Sequence, residues 1–152
     1  MNDNFKLSEQ VAIVATLDPS SQAVSTATST WVPVANFHRF AALVDIGAVG
    51  GAGTVAVAFL QATSSGGAGS KAVVNQVTGA NVATSAPVAV SNSQVMLEAL
   101  ADWVDSTNGY GYVAITITVA GNAVLTQGTL FGHAPRFGPA NLLNQAGVAQ
   151  VI

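Results

Sequence analysis

Charge is what this sequence lacks most. Only 7% of its 152 residues are charged, four basic and seven acidic. An ordinary soluble domain has about 25% charged residues. Hydrophobic residues make up 50% of the chain, and its polarity comes from serine, threonine, asparagine and glutamine, which cost less to bury than charges do. The composition indicates a protein whose surface is largely covered by partners; a high-salt protein, or one merely rich in alanine and threonine, would look similar.

Cysteine and clustered basic residues are also absent. Without cysteine there is no disulfide, no thiolate metal site and no cysteine nucleophile. The net charge of −3 argues against nucleic acid, since affinity for phosphates comes from clustered lysine and arginine. No stretch approaches the ~18 uninterrupted apolar residues of a membrane span, and the start does not resemble a secretory signal. We expect no nucleic acid and no membrane partner, and a chain made in the cytoplasm.

Period-two alternation is the main structural signal. In residues 112–119, valine and isoleucine alternate with alanine and threonine, as in a half-buried antiparallel strand. Gly121-Asn122 then leads to a second such run at 124–131, which predicts a two-residue hairpin. Residues 40–49 and Thr54–Ala62, joined by a glycine-rich loop at 50–53, predict another.

The remaining segments complete an all-β pattern. Residues 11–17, 24–34, 71–77 and 87–90 are further strand candidates, and 64–70 is a flexible connection within one domain. Residues 94–104 fit either a helix or, as we favour, a strand to about Leu100 followed by a turn. The expected core is Ile13, Trp31, Phe40, Leu43, Val55, Val57, Phe59, Val113, Ile115, Ile117, Val124 and Leu130.

Roughly eight or nine short strands with glycine-rich turns predict a single-domain antiparallel β-sandwich, jelly-roll-like, with extended terminal arms. Residues 1–20 are expected to form an N-terminal arm and first strand, 21–140 the sandwich, and 141–152 a C-terminal arm.

Catalytic patterns are weak. The glycine-rich stretches lack the spacing of nucleotide-binding loops and are better explained as turns. His38 and His133 are the two histidines, far apart in the chain, and no Gly-x-Ser-x-Gly elbow accompanies them. We therefore predict no enzyme, no catalytic residue, no cofactor and no metal site.

One acidic cluster leaves alternatives open. Glu98, Asp102 and Asp105 could hold calcium or act as a carboxylate pair on a glycosidic bond, but a solvated turn is the default interpretation. The same segment contains Trp103 and, further on, Asn108 and Tyr110, which could bind a glycan. The alternative function is therefore a tail- or spike-associated β-sandwich module for host glycans.

A series of short segments spans nearly the whole chain in a characteristic order: Asp18-Pro19, Trp31-Val32-Pro33, Phe37-His38-Arg39, the glycine-rich loop at 50–53, Gln61-Ala62-Thr63, residues 67–71, the strand from Tyr112, and residues 135–140. In this order they resemble small proteins encoded among the head genes of tailed bacteriophages. The resemblance implies a homotrimeric capsid decoration or cement protein of the virion, which binds the major capsid protein on the outside of the head and stabilises the shell.

Candidate partner contacts are chosen on composition. Arginine and aromatic side chains dominate interface energetics, and an apolar, uncharged tail either completes its own sheet or reaches onto a neighbour. The candidates are Phe37, His38, Arg39, Arg136, Phe137, Leu142, Val148 and Ile152. Head or tail position, the oligomer number and the arm that contacts the capsid stay open.

Overall fold

Two antiparallel sheets packed face to face form this all-β chain in a computed structural model, which describes residues 6–81 and 83–149. The predicted antiparallel β-sandwich is confirmed. No helix of the described residues is long and apolar enough to cross a membrane. The elements are α1 (Leu7–Gln10), β1 (Val11–Gln22), β2 (Ser25–Thr28), β3 (Val32–Pro33), β4 (Phe37–Val49), β5 (Thr54–Ala62), β6 (Lys71–Ala72), β7 (Ser93–Leu100), β8 (Tyr112–Ala120) and β9 (Val124–Pro135).

The strand order is that of a jelly roll. Sheet A has the order β1-β9-β4-β7 and sheet B the order β2-β8-β5-β6, with β3 also paired to β8. The chain passes back and forth between the sheets, so strands that lie side by side are distant in sequence. This double-sheet wrapping defines the jelly roll among antiparallel folds.

Neither of the two predicted hairpins forms. β8 and β9 are consecutive but lie in different sheets, and so do β4 and β5. Each pair is joined by a short connection that carries the chain across the core. The hairpin prediction was wrong because alternation shows only that a strand buries one face, and strands of two facing sheets do this as well as the two strands of a hairpin.

The two crossover connections contact each other. Asn122 Nδ2 donates a hydrogen bond to the carbonyl oxygen of Gly50 at 3.0 Å. Gly121 has a φ of +78°, and a Cβ there would lie 2.0 Å from the carbonyl oxygen of Ala52. Both the backbone angle and the available space therefore require glycine. The Gly-Asn pair that suggested a hairpin holds two loops together at one end of the sandwich.

Several strands differ in length from their sequence-based bounds. The ambiguous segment is a strand, β7, followed by a 3-10 turn at Ala101–Trp103, and its helical alternative was wrong. β6 covers only the first residues of the strand predicted at 71–77. The serine- and threonine-rich region is divided into β2 and β3, and the hydroxyls of Thr26 and Thr118 hydrogen-bond at 2.9 Å between β2 and β8.

The described parts of both terminal regions contact the sandwich. β1 continues in sheet A to Gln22, so the boundary expected at residue 20 falls inside a strand. A 3-10 turn at Ala140–Leu143 packs against β1.

Most of the expected core is buried between the sheets, but Ile13, Trp31 and Leu43 are only half-buried. Ile13 and Leu43 lie next to inward-facing Ala12, Val44 and Ala42 and therefore face outward, away from sheet B. The buried members of the expected core are Phe40, Val55, Val57, Phe59, Val113, Ile115, Ile117, Val124 and Leu130.

Candidate interaction surface

The outer face of sheet A carries an apolar surface. Across the strands, Phe131 lies between Ile13 and Ala41, and in the next row Leu43 lies beside Met96. Met96 is 65% exposed and the others are half-buried. An antiparallel sheet that faces water is normally polar on that side. We call these five residues the sheet A surface.

Both ends of the described chain extend the sheet A surface beside β1. Leu7 on α1 and Val148 line a groove together with Val11, Ile13 and Phe131. Leu7 is 69% exposed. The apolar area therefore continues from β7 across the sheet to the N-terminal helix.

The C-terminal segment, residues 140–149, runs along the edge of β1. The N–H of Ile13 donates to Asn144 Oδ1 at 2.8 Å, and the N–H of Gln145 donates to the carbonyl oxygen of Ile13 at 2.8 Å. Gln145 Nε2 also donates to Thr16 Oγ1 at 3.1 Å. The sequence left open whether this tail completes its own sheet or reaches onto a neighbour. Its described part contacts its own sheet.

Polar groups border the sheet A surface at one end. Arg39 on β4 lies opposite His133 on one side and Leu100 on the other. Arg39, His133 and Glu98 line a shallow groove of about 360 Å³. An apolar centre with a polar rim is the usual arrangement of a protein interface.

The partner contacts predicted at the start of β4 are only partly accessible. His38 and Arg39 are exposed. The prediction that Phe37 contacts a partner was wrong, because its side chain is fully buried. Its ring packs edge-on against Phe40, with centroids 5.9 Å apart, and fills the space left by Gly132. An aromatic ring held in the core has no surface for a partner.

The remaining predicted contacts lie beyond β9. Arg136 Nε donates to the carbonyl oxygen of Phe37 at 3.3 Å, which anchors the segment against β4. Phe137 and Leu142 are each 76% exposed. Val148 is half-buried in the groove beside Leu7. Ile152 lies outside the described residues.

The segment proposed for calcium or a glycan forms a closed hydrogen-bonded cluster. Asp105 Oδ2 lies 2.6 Å from Lys71 Nζ, and both carboxylate oxygens accept from Asn108 Nδ2 at 2.9 Å. Lys71 Nζ is 4.1 Å from the centroid of the Tyr110 ring. The N–H of Asp105 donates to Oε1 of the buried Gln61 at 2.7 Å. The carboxylate is therefore already engaged by protein groups.

The neighbouring residues do not complete a binding site. Trp103 is half-buried and packs against the core, so it offers no open platform for a sugar ring. Glu98 on β7 and Asp102 in the following turn are exposed. Within residues 6–81 and 83–149, no group of three or more His, Cys, Asp or Glu side chains is arranged to hold a metal ion. The geometry gives no support to a calcium or glycan site here.

Acid should weaken the fold through Asp105. Its hydrogen bond with the Lys71 ammonium, followed by that with the Asn108 amide, lowers the pKa of the carboxyl below its ordinary value of 3.8. Because the folded-state pKa is depressed, the stabilisation is complete above the ordinary pKa and is lost as the pH falls through the folded one. We expect the unfolding temperature to fall more steeply below about pH 4 in the wild type than in Asp105→Asn.

Asp102→Asn is the matched control for that measurement. Asp102 lies three positions before Asp105, is exposed, and makes no ion pair among the described residues. This variant should keep the wild-type acid profile. If Asp105→Asn also keeps it, the Lys71–Asp105 pair does not contribute to stability in solution.

Comparisons with known proteins add no functional assignment. No protein-family model matches the chain, and no curated protein matches it. One solved structure, described as "Bacillus endospore appendages form a novel family of disulfide-linked pili", aligns with a TM-score of 0.37 and 18% identity over 88% of this chain and 99% of that chain. A likeness at this level carries no argument about function.

Sequence reasoning missed Leu7, Met96 and Phe131 as surface residues. A signal was present in the middle of β4, where Ala41 and Leu43 alternate with buried Ala42, so both faces are apolar over this part of the strand. A strand that is apolar on both faces predicts that its outer face is covered as well. Two other outward apolar residues, Ile13 and Leu43, were assigned to the core.

Proposed function

We propose that this protein is a non-enzymatic structural virion protein, which decorates the outside of a bacteriophage head and stabilises the shell by binding the major capsid protein. The sheet A surface carries the proposal. An apolar patch bordered by polar groups suits a protein that works in contact with other proteins, whereas an exposed apolar patch is a liability for a free monomer. The order of sequence segments that resembles phage head proteins supports the same role.

The proposed action is mechanical. DNA packed inside a head pushes the shell outward, and a protein that bridges several capsid subunits adds interface that must be broken before the shell opens. A partner that binds only the mature lattice stabilises it by mass action. In this proposal the chain is located on the virion, acts as a homotrimer and uses no cofactor.

The proposed capsid contacts combine the sheet A surface with the exposed residues around it. Arg39 contributes a charged group at the rim, and Phe137 and Leu142 contribute exposed apolar side chains on the C-terminal segment. Arg136 positions that segment through its bond to the Phe37 carbonyl. Arginine and large apolar anchors of this kind usually supply most of the binding free energy of an interface.

Substitutions on these surfaces should weaken capsid binding. We expect Leu43→Thr and Phe137→Ser each to reduce affinity for undecorated mature shells by about tenfold or more, because each removes an apolar anchor. Leu43→Thr introduces a β-branched residue, which suits a strand, and Phe137 is 76% exposed, so both variants should fold. Affinity is measured by co-sedimentation with shells assembled from the major capsid protein of the same genome.

Val77→Thr is the matched control, because Val77 is 94% exposed but lies in the connection between β6 and β7. It should bind shells as the wild type does. Equal binding by all the variants would show that neither Leu43 nor Phe137 contributes to the capsid contact. Failure of the wild type to bind shells would refute the decoration role itself.

A further inference from the structure

Two of the four sheet edges are blocked within residues 6–81 and 83–149. On the outer side of β1, Ile13 is bonded to Asn144 and Gln145, and Pro19 interrupts the edge further along. The register of β1 is also shifted at two places. In sheet B, the outer side of β5 is occupied by β6 and by bridges from Thr84 and Val88.

The edge of β7 has no such protection. Its pairing with β4 runs without a bulge from Ser93 to Leu100, and it contains no proline and no lysine. Among the described residues, none hydrogen-bonds to the outer backbone edge of β7. Glu98 is its single charged residue. A long, regular edge with a single charge is a template for another strand, and proteins that avoid pairing modify such edges. The other open edge, β2, spans four residues.

The side chains of β7 are also incompletely covered. Gln94, Met96 and Glu98 project from the outer face, with Met96 65% exposed. Leu97 lies on the inner face between buried Val95 and Ala99, yet it stays half-buried. A further strand beside β7 would cover both Met96 and Leu97.

We infer that β7 pairs antiparallel with β7 of a second copy of this chain, with the twofold axis at Met96. Outer-face residues then meet outer-face residues: Met96 faces its own counterpart, and Gln94 faces Glu98 of the second copy. On the inner face, Val95 meets Leu97. The two four-stranded sheets A become one continuous sheet, and the contact is isologous, as in most twofold dimers.

Charge complementarity favours a second copy of this chain as the strand that pairs with β7. It also favours one register of that pairing. With the axis at Met96, the lone carboxylate of each strand faces an amide. Gln94 Nε2 already donates to Asp45 Oδ1 at 2.6 Å and keeps its second hydrogen for Glu98 of the other copy. An axis at Glu98 would oppose two carboxylates, and an axis at Leu97 would place Glu98 against Met96. An axis between two residues would join the outer face of one sheet to the inner face of the other.

The contact does not depend on the proposed capsid role. By itself it gives a dimer, in which the two sheet A surfaces merge into one larger apolar area. If another surface makes a trimer, the β7 contact joins two trimers, as at a local twofold axis between neighbouring threefold axes of a shell.

Cysteine cross-linking tests the register directly, because the chain has no cysteine of its own. Opposed Cβ atoms in a strand pair are about 4.5–5.5 Å apart, and a disulfide needs roughly 3.5–4.5 Å, so a small shift brings two such thiols into bonding range. Under mild oxidation we expect Met96→Cys to give a disulfide-linked pair on a denaturing gel at least about tenfold faster than Leu142→Cys, a more exposed position outside the contact.

The register has its own control. Gln94→Cys alone should stay unlinked, whereas Gln94→Cys combined with Glu98→Cys should link. As a measurement without cysteine, Met96→Glu opposes two carboxylates and should weaken self-association in sedimentation by about tenfold.

Three results would overturn the inference. The first is a Met96→Cys rate no faster than that of Leu142→Cys. The second is a wild-type chain that shows no association between copies at any concentration. The third is cross-linking of Met96→Cys to Thr26→Cys in preference to itself, which would mean that β7 pairs with β2 of the next copy in an open chain of subunits.

Discussion

Gly132→Ala is expected to lower the free energy of unfolding by about 2–3 kcal/mol, the upper part of the range for overpacking a core. A Cβ at this position would lie 2.5 Å from Phe37 Cε2 and 2.6 Å from Cδ2. The ring cannot easily move, because it is fully buried and packs against Phe40. The backbone cannot easily move either, because β9 is paired on one side with β1 and on the other with β4.

A double-mutant cycle isolates the clash. Phe37→Ala alone should cost about 3–5 kcal/mol, as other large-to-small aromatic substitutions do. In that background, Gly132→Ala should cost less than about 1 kcal/mol, because residues in contact are not additive. The measurement is chemical denaturation of the four proteins at one temperature.

Gly128→Ala is the matched control on the same strand. Gly128 is buried, but a Cβ there would meet the terminal methyl groups of Ile115 and Ile117 at 3.2 Å, which can shift. Its cost should be clearly smaller than that of Gly132→Ala. Equal costs for the two variants would mean that any added methyl group in β9 is destabilising and that the Phe37 ring has no special part.

Gly121→Ala should be about as damaging, at roughly 3 kcal/mol, for a different reason. The positive φ of +78° is strained for alanine, which costs about 1–2 kcal/mol. In addition, the new Cβ would lie 2.0 Å from the carbonyl oxygen of Ala52 and 2.7 Å from its carbon, so the two crossover loops must separate. Thermal or chemical unfolding measures the loss.

Gly109→Ala separates these two contributions. Gly109 has a φ of +82°, and nothing lies within 4 Å of a Cβ built there. Its substitution should therefore cost only the backbone strain, about 1–2 kcal/mol. The excess cost at Gly121 measures the contact between the two loops, and no excess would show that the loops are not packed together in solution.

Gly132 also bears on the candidate interaction surface. Phe37 packs over Gly132 and, through its carbonyl oxygen, holds Arg136 at the base of the segment that presents Phe137. A displaced Phe37 ring would shift that segment. Capsid-binding measurements therefore need variants such as Phe137→Ser, which change an exposed side chain and leave the core unchanged.

The sequence by itself determined the all-β class and most of the strand positions. The alternation in Thr54–Ala62 predicted β5 with the bounds that the structure has, and the long apolar strands supplied the buried side chains Val57, Phe59 and Ile115. Each of these features depends on residues close together in the chain, where the side-chain period of a strand is fixed by backbone geometry.

Only the tertiary structure decided which sheet each strand joins. It placed β8 and β9 in different sheets, buried Phe37, turned Leu43 outward and brought Lys71 to Asp105. Alternation records that one face of a strand is buried and does not record which strand lies beside it. In a jelly roll the neighbours are distant in sequence, so the partners of each face are set by packing of the whole chain rather than by any local pattern.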